Sequence, residues 1–345
     1  MDKILKILLA ASMITVAASC QWRPLVDPDN SIYLKVITDI SDLDNINTNI
    51  YNDQLEIPEI GSEMFRAMFY DPETGKLLSQ AFISEKTTAS DGSDAIGGEI
   101  KITPGTYDLV CYSFDVPDTY IKDENEISTI YAYTNAVPES ISGKFSIKAD
   151  SGLDDVRYEP DHLLVAHEDA LNIPQHTGAL VIETTANTIA ETYYLQVRVE
   201  GAQYVSLASA EISGMAPTNH FGIRQLDVDD PSSIYLNLQS STDERISGDN
   251  KAVICCLFNT FGKIYESNFA TDSELLICVT RTDGEVFNFT FDMKDIFNSE
   301  NALQRHWLLL NDAITIPTPD PTPSTGGGFQ PQVGEWENQY SDITL

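Results

Sequence analysis

The fold class is decided by strand-like stretches such as residues 193–200, which read Tyr-Tyr-Leu-Gln-Val-Arg-Val-Glu. Apolar side chains recur there at every second position, from Tyr193 to Val199. Because successive side chains of a β-strand point to opposite faces, a period of two predicts a strand with one buried face. The same alternation recurs at residues 32–37, 107–112, 234–239 and 286–291. These segments predict antiparallel sheets that each have one solvated face.

Helical patterns are scarce along the chain. Residues 292–304 are the main candidate for a short helix, because Met293, Ile296 and Phe297 share one side of it. The alternation of strands and helices that is typical of parallel α/β folds is not found in the sequence. We therefore expect an all-β protein.

The length and the net charge of the chain limit the classes of function that it can have. A chain of 345 residues is long enough for two ordinary domains or one large all-β domain. The 53 Asp and Glu residues outnumber the 20 Lys and Arg residues, so the formal net charge is -33. Such a field repels phosphate groups, which excludes nucleic acid as a partner. A hydrophobic content of 42% predicts packed cores rather than a disordered acidic chain.

The domain organisation follows from turns and linkers. Polar turns at residues 152–155 and 159–161 precede a new strand series that opens at Gly178. We therefore expect an N-terminal β-sandwich domain over residues 20–165 and a C-terminal β-sandwich domain over residues 166–316. Alternating prolines and then Gly326–Gly328 follow, which predicts a linker over residues 317–328 that is first extended and then flexible.

A tail over residues 329–345 follows the linker. It again carries apolar side chains, namely Phe329, Val333, Trp336, Ile343 and Leu345. Apolar residues behind a linker predict a docking segment that adds a strand to a sheet of its own chain or of a neighbour. The short linker favours docking on its own chain, and a disordered terminus is the alternative.

The N-terminus carries a predicted targeting signal over residues 1–19. Lys3 and Lys6 precede a short apolar run at residues 7–16, and small residues lead to Cys20, as in secretory signal peptides. The sequence Ala-Ala-Ser-Cys at residues 17–20 resembles a bacterial lipobox, whose cysteine is acylated after cleavage. The apolar run is too short to span a bilayer, so we expect a lipid anchor on Cys20. A secreted protein with a chance cysteine is the alternative.

Signatures of catalysis and of metal binding are missing from the sequence. Five histidines occur, and none has the HExxH spacing of zinc sites; His162 and His167 lie five residues apart. The sequence also lacks GxSxG, Walker A and GxGxxG motifs. We expect no catalytic residue, no metal and no cofactor, and so a protein that is not an enzyme.

Four further cysteines, Cys111, Cys255, Cys256 and Cys278, lie inside strand-like apolar runs. We expect them to be small buried hydrophobic residues, with one disulfide as the alternative in an oxidising compartment. Adjacent Cys255 and Cys256 are expected on opposite faces of one strand, which is unsuited to joint metal binding.

Several stretches together resemble the fimbrillin-like proteins of Bacteroidetes. The strand entry Pro-Gly-Thr-Tyr-Asp-Leu-Val at residues 104–110 is similar to theirs, and residues 194–214 resemble the opening of their second domain. The segment from Gly327 through Trp336 to Ile343 is similar to the tail of anchor-type members. The resemblance implies two tandem transthyretin-like β-sandwich domains in an outer-membrane lipoprotein that serves fimbriae, adhesion and biofilm.

The same resemblance bears on the role within a fimbrium. Shaft subunits of this group lose an N-terminal strand to an arginine-specific protease, and a donor strand from a neighbour fills the groove. In this chain the surroundings of Arg66 do not single it out as a cleavage site, and Arg23 lies too close to Cys20. We therefore expect a fimbrial anchor or accessory subunit in the outer membrane, exposed at the surface, with other fimbrial subunits as partners. The alternative is a stand-alone surface lipoprotein that binds a glycan or a host protein.

Overall fold

The computed structural model describes residues 30–39, 60–142, 155–266, 269–270 and 273–319. The predicted signal peptide, Cys20 and the tail over residues 329–345 lie outside these residues.

The first half of the described chain consists of short strands and one helical turn. In chain order they are β1 (Ser31–Asp39), β2 (Phe65–Tyr70), β3 (Leu77–Ile83), β4 (Glu85–Thr88), β5 (Asp94–Lys101), β6 (Gly105–Ser113), β7 (Thr119–Lys122), β8 (Tyr131–Thr134), α1 (Glu139–Ser142), β9 (Val156–Arg157), β10 (Leu164–Ile173) and β11 (Leu180–Thr188).

The second half has the same character, with two short helices near its end. Its elements are β12 (Glu191–Glu200), β13 (Val205–Met215), β14 (Thr218–His220), β15 (Gln225–Leu226), β16 (Ser232–Thr242), β17 (Ala252–Thr260), β18 (Tyr265–Glu266), β19 (Phe269–Ala270), β20 (Glu274–Arg281), β21 (Val286–Asp292), α2 (Lys294–Phe297), α3 (Glu300–Arg305) and β22 (Trp307–Thr315). Short 3₁₀ helices cover Ala202–Tyr204 and Phe221–Ile223. The expected all-β fold is confirmed.

The first domain is built on strands in the order β3-β2-β6-β10-β11-β1-β5-β4. Only two residue pairs join β10 to β11, so the sheet folds there into two layers that pack face to face. At the opposite end a single residue, Ser84, separates β3 of one layer from β4 of the other. This bent stretch closes the sandwich around its core. The core residues include Leu34, Phe69, Leu109 and Ala166.

The second domain has the strand order β21-β20-β13-β16-β17-β12-β22, with β9 paired to β16. Strand β16 pairs with β13 up to Leu238 and with β17 from Gln239 onward, so it passes from one layer to the other. At the far end β21 and β22 are connected through α2 and α3, and within the described residues the outer edges of both strands are unpaired. The second domain is therefore closed at one corner and open at the other.

Three of the described strand pairs are parallel, which differs from the expectation of antiparallel sheets: the short pair of β9 with β16, and two longer pairs. Ile32 of β1 lies opposite Leu180 of β11, and Tyr194 of β12 lies opposite Trp307 of β22. Both longer pairs join strands that are distant in sequence. Alternation within one strand shows which face is buried but not the direction of the partner strand.

The domain boundary also differs from the expected position between residues 165 and 166. Strand β10 contains that position and pairs with β6, while β11 pairs with β1, so both belong to the first domain. The chain passes between the two main sheets at residues 189–190, just before β12. The polar turn at residues 159–161 belongs to the connection that leads into β10.

The four cysteines expected in strands are all buried, and none forms a disulfide. Cys256 packs in the core of the second domain, whereas Cys255 packs on the other side of the sheet with Tyr194 and Trp307. The two neighbours therefore lie on opposite faces of β17, as their adjacency predicts.

Candidate functional sites at the open sheet edge and the domain junction

The predicted site residues, Cys20, Phe329, Val333, Trp336, Ile343 and Leu345, lie outside the described residues. The structure does describe the place where the chain leaves the second domain toward the tail. Ile316, directly after β22, is buried, and the Nη1 group of Arg281 donates a hydrogen bond of 3.1 Å to the carbonyl oxygen of Pro317. The start of the linker is thus fixed beside the end of β20.

The open corner of the second domain combines unpaired main chain with apolar side chains. Phe287, Phe289 and Phe291 of β21 pack against the core but are only partly buried. The guanidinium carbon of Arg281 lies 5.2 Å from the centre of the Phe287 ring. Free main-chain N–H and C=O groups on an edge strand can pair with an added strand, whose alternate side chains then contact such apolar positions.

The two domains meet in a junction that both of them build. A sheet with the strand order β15-β14-β8-β7 joins their chains, with Asn219 opposite Ala132. The Phe221 ring meets the Tyr112 ring edge-on, with centroids 5.6 Å apart. The junction core consists of Met68, Tyr70, Val110, Tyr112, Ile130, Ala132, Leu163, Val165, Ala216, Phe221, Phe261 and Ile264. A shared core and shared main-chain pairing hold the domains in one arrangement.

A cavity of about 330 Å³ opens at this junction. It is lined by Val165 and His167 of β10, by Asn187 and Thr188 at the end of β11 and Ile189 directly after it, and by Asn219, Phe221, Arg224, Gln225 and Leu226 from the second domain. Sequence reasoning did not find this cavity, because its walls come from segments that are distant along the chain.

The wall of the cavity carries almost no net charge. Burial, assisted by the Arg224 guanidinium, lowers the pKa of His167 to about 4, so its imidazole is uncharged near neutral pH. The two terminal nitrogens of Arg224 donate hydrogen bonds of 3.1 Å to the two carboxylate oxygens of Asp169. Arg224 therefore brings no uncompensated charge to the cavity.

Arg66 is held firmly in the first domain. Its Nη1 lies 2.9 Å from a carboxylate oxygen of Glu124, and two of its nitrogens donate to Gln80. Its guanidinium carbon also lies 5.5 Å from the ring of Phe82 and 5.8 Å from that of Phe114, both partly exposed. These contacts bury most of a side chain that a protease would have to engage.

His162 and His167 do not form a joint site. The ring nitrogens of His162 lie 3.3 Å from Thr188 Oγ1 and 3.2 Å from Thr192 Oγ1, whereas His167 faces the cavity. Within the described ranges, no group of three or more His, Cys, Asp and Glu side chains is arranged to hold a metal ion. Over the same ranges, the helices are too short and too polar for any of them to cross a membrane.

The chain is similar in sequence to a protein named as a fimbrial subunit. The chain is 26% identical over 267 residues to the protein named "Putative fimbrium anchoring subunit Fim4B" of Bacteroides ovatus, covering 70% of this chain and 75% of the relative. The expected kinship with fimbrial proteins of Bacteroidetes is thereby confirmed.

Solved structures extend the comparison. The crystal structure titled "putative adhesin" from Bacteroides ovatus aligns with a TM-score of 0.54 at 21% identity, over 88% of this chain and 98% of that one, which supports the fold. The fimbrial anchor protein Mfa2 from Porphyromonas gingivalis aligns with a TM-score of 0.45 at 12% identity, over 83% of this chain and 89% of that one. Residues 55–237, more than half of the chain, match the family described as a domain of unknown function, DUF5119. The chain therefore belongs to the DUF5119 family.

Proposed function

We propose that this protein is a non-enzymatic lipoprotein of the outer membrane that acts as a fimbrial anchor or accessory subunit and joins other fimbrial subunits through β-strand addition. The observation that carries the proposal is the open corner between β21 and β22, at which the chain leaves toward its apolar tail. The kinship with a protein named as a fimbrium anchoring subunit supports the same role.

An open edge needs an occupant, since unpaired strands tend to add foreign strands. The tail over residues 329–345 is the proposed docking segment. Its 12-residue linker, residues 317–328, spans up to roughly 37 Å when extended. A nine-residue strand such as β22 is about 30 Å long, so the tail can return to either open edge of its own sheet. We favour docking on its own chain over docking on a neighbour.

Truncation after Gly328 tests this docking. If the tail docks on its own chain, truncation lowers the unfolding free energy, and Trp336→Asp reproduces the loss because a charge cannot enter an apolar site. Gln332→Asp is the matched control, since it adds the same charge at a polar position of the same tail. If the tail docks on a neighbour, stability stays constant and co-purification of fimbrial subunits is lost. A truncated chain with unchanged stability and unchanged co-purification contradicts the docking segment.

The lipid anchor is tested at Cys20. Cys20→Ser removes the acylated sulfur, so we expect the variant to leave the membrane fraction and the wild-type chain to remain there through detergent-free washing. Retention of the variant in washed membranes would show that another feature attaches the protein.

The role in the fimbrium is tested in cells that lack the gene. An anchor or accessory subunit controls fibre attachment or length, so electron microscopy of cells and shed medium should show fibres that detach, lengthen or vanish. Restoration by the wild-type gene is the control. Fibres of normal number, length and attachment in the deletion strain contradict the role.

A further inference from the structure

We propose that the cavity at the domain junction is a binding site for a neutral saccharide, either one sugar or the terminal residue of a neutral glycan. This site lies apart from the open corner of the second domain, and the proposal does not depend on strand addition.

The size and place of the cavity suit a small ligand. Its volume of about 330 Å³ falls at the lower end of the range for small-molecule sites, which commonly form between domains. Because both domains supply its walls, the junction core and the junction sheet hold the cavity in shape without a ligand. A preformed site avoids the entropic cost of ordering loops on binding.

The polar groups in the cavity wall are available to a ligand. Within the described part of the chain, the side chains of His167, Asn187 and Gln225 form no hydrogen bond with other residues, and all three line the cavity. His167 is half-buried, whereas Asn187 and Gln225 are exposed. A neutral imidazole and an amide each offer both a donor and an acceptor. Hydroxyl groups do the same, so a polyhydroxylated ring can pair with each of these side chains.

The apolar part of the cavity wall can contact the face of a sugar ring, which is itself apolar. Ile189 and Leu226 are partly buried hydrophobic residues that line the cavity and also pack against the junction core. A pyranose ring presents C–H groups on its faces and hydroxyl groups at its rim. The wall therefore matches a ring that is apolar on its face and polar at its edge.

The charges of the cavity wall and of the whole protein favour neutral sugars over acidic sugars. The Arg224 guanidinium is already paired with the Asp169 carboxylate through two hydrogen bonds, and the His167 imidazole is uncharged. The net charge of -33 repels anionic ligands from the whole protein. An acidic sugar would thus find no free cation in the described cavity wall.

The test uses the full mature chain with Cys20→Ser, titrated with D-glucose, D-galactose, D-mannose, L-fucose and N-acetyl-D-glucosamine. Saturation-transfer NMR should detect at least one of them at about 10 mM, a concentration that reveals millimolar dissociation constants. The double variant Asn187→Ala and Gln225→Ala should bind that sugar about tenfold more weakly, because two hydrogen bonds to the ligand are lost. Asn301→Ala, an exposed amide on α3, is the matched control and should bind like the parent chain.

Three outcomes overturn the proposal: no saturation transfer from any of the five sugars, equal affinity in the double variant, and a preference for glucuronic acid over the neutral sugars. Both bacterial polysaccharides and animal glycans carry neutral sugars. A glycan array that contains both then shows which of the two the protein binds. Fibre morphology in cells that carry the double variant separates this site from the proposed anchor role, since we expect normal fibres with lost sugar binding.

Discussion

Gly222 lies so close to Ile127 that a β-carbon at position 222 would come within 2.1 Å of the Ile127 carbonyl oxygen. The same atom would lie 2.3 Å from the Cγ2 of Ile130. Gly222 lies in the 3₁₀ helix Phe221–Ile223 of the second half, whereas both isoleucines lie between β7 and β8 in the first half. The two domains can therefore approach each other this closely only because position 222 has no side chain.

Gly222→Ala should weaken the junction. The new methyl group meets backbone, which cannot move without shifting the junction sheet, so we expect a loss of about 1–3 kcal/mol in unfolding free energy. Urea denaturation measures the loss, and hydrogen exchange at residues 131–134 should rise with it. Gly61→Ala is the control, because a β-carbon there meets no atom within 4 Å. Equal stability of the two variants would show that the close approach is not required.

Arg66 should resist an arginine-specific protease in the folded protein. Strand β2, which contains it, is paired on both sides by β3 and β6, and its side chain is held by Glu124. Arg245 provides an internal comparison, since it lies in an exposed turn between β16 and β17. Mass spectrometry of a native digest should therefore detect cleavage after Arg245 before any cleavage after Arg66. Early cleavage after Arg66 would contradict the expectation that this arginine is not a processing site.

Two histidines should make the protein less stable in mild acid. Burial lowers the pKa of both His162 and His167 to about 4, below the unfolded value of about 6.5. Between these values the unfolded chain binds more protons, so this contribution to stability is complete above pH 6.5 and is lost as the pH falls toward 4. We expect each histidine to remove roughly 1.5 kcal/mol between pH 6.5 and pH 5.

The measurement is urea unfolding at pH 7, 6 and 5 for the wild type and for the double variant His162→Gln and His167→Gln. The variant should lose less stability over this interval. Burial raises the pKa of Glu159, which acts in the opposite direction, but this residue is common to both proteins. An identical pH dependence in the two proteins would rule out the histidines as its source.

The four thiols of the described chain should be unreactive until the protein unfolds. Burial raises the pKa of Cys255 to about 11 and that of Cys111 further, and only the thiolate reacts. In the Cys20→Ser background, a thiol reagent at pH 8 should label almost no cysteine in the folded protein and all four in denaturant. Stoichiometric labelling of the folded protein would mean that a strand carrying a cysteine opens readily.

Local pattern accounts for the parts of the fold that were predicted correctly. The alternation at residues 193–200 became β12, and the apolar spacing of Met293, Ile296 and Phe297 marks the short helix α2. The single helix expected over residues 292–304 is divided into α2 and α3. The opposite orientation of Cys255 and Cys256 also followed from their adjacency. Each of these features depends on residues within a few positions of one another, so the sequence alone contains the required information.

Tertiary structure decided the partners of those elements. The parallel pairing of Ile32 with Leu180, the closure of the first domain around Ser84 and the open corner beside β22 all join distant segments. The cavity is the same kind of feature, because His167 and Gln225 line one cavity only after both domains have docked. A residue pattern records which face of a strand is apolar, whereas strand order and direction depend on how all apolar faces are buried together. The all-β character of this protein was therefore determined by its sequence alone, and its candidate sites were decided by packing across the whole chain.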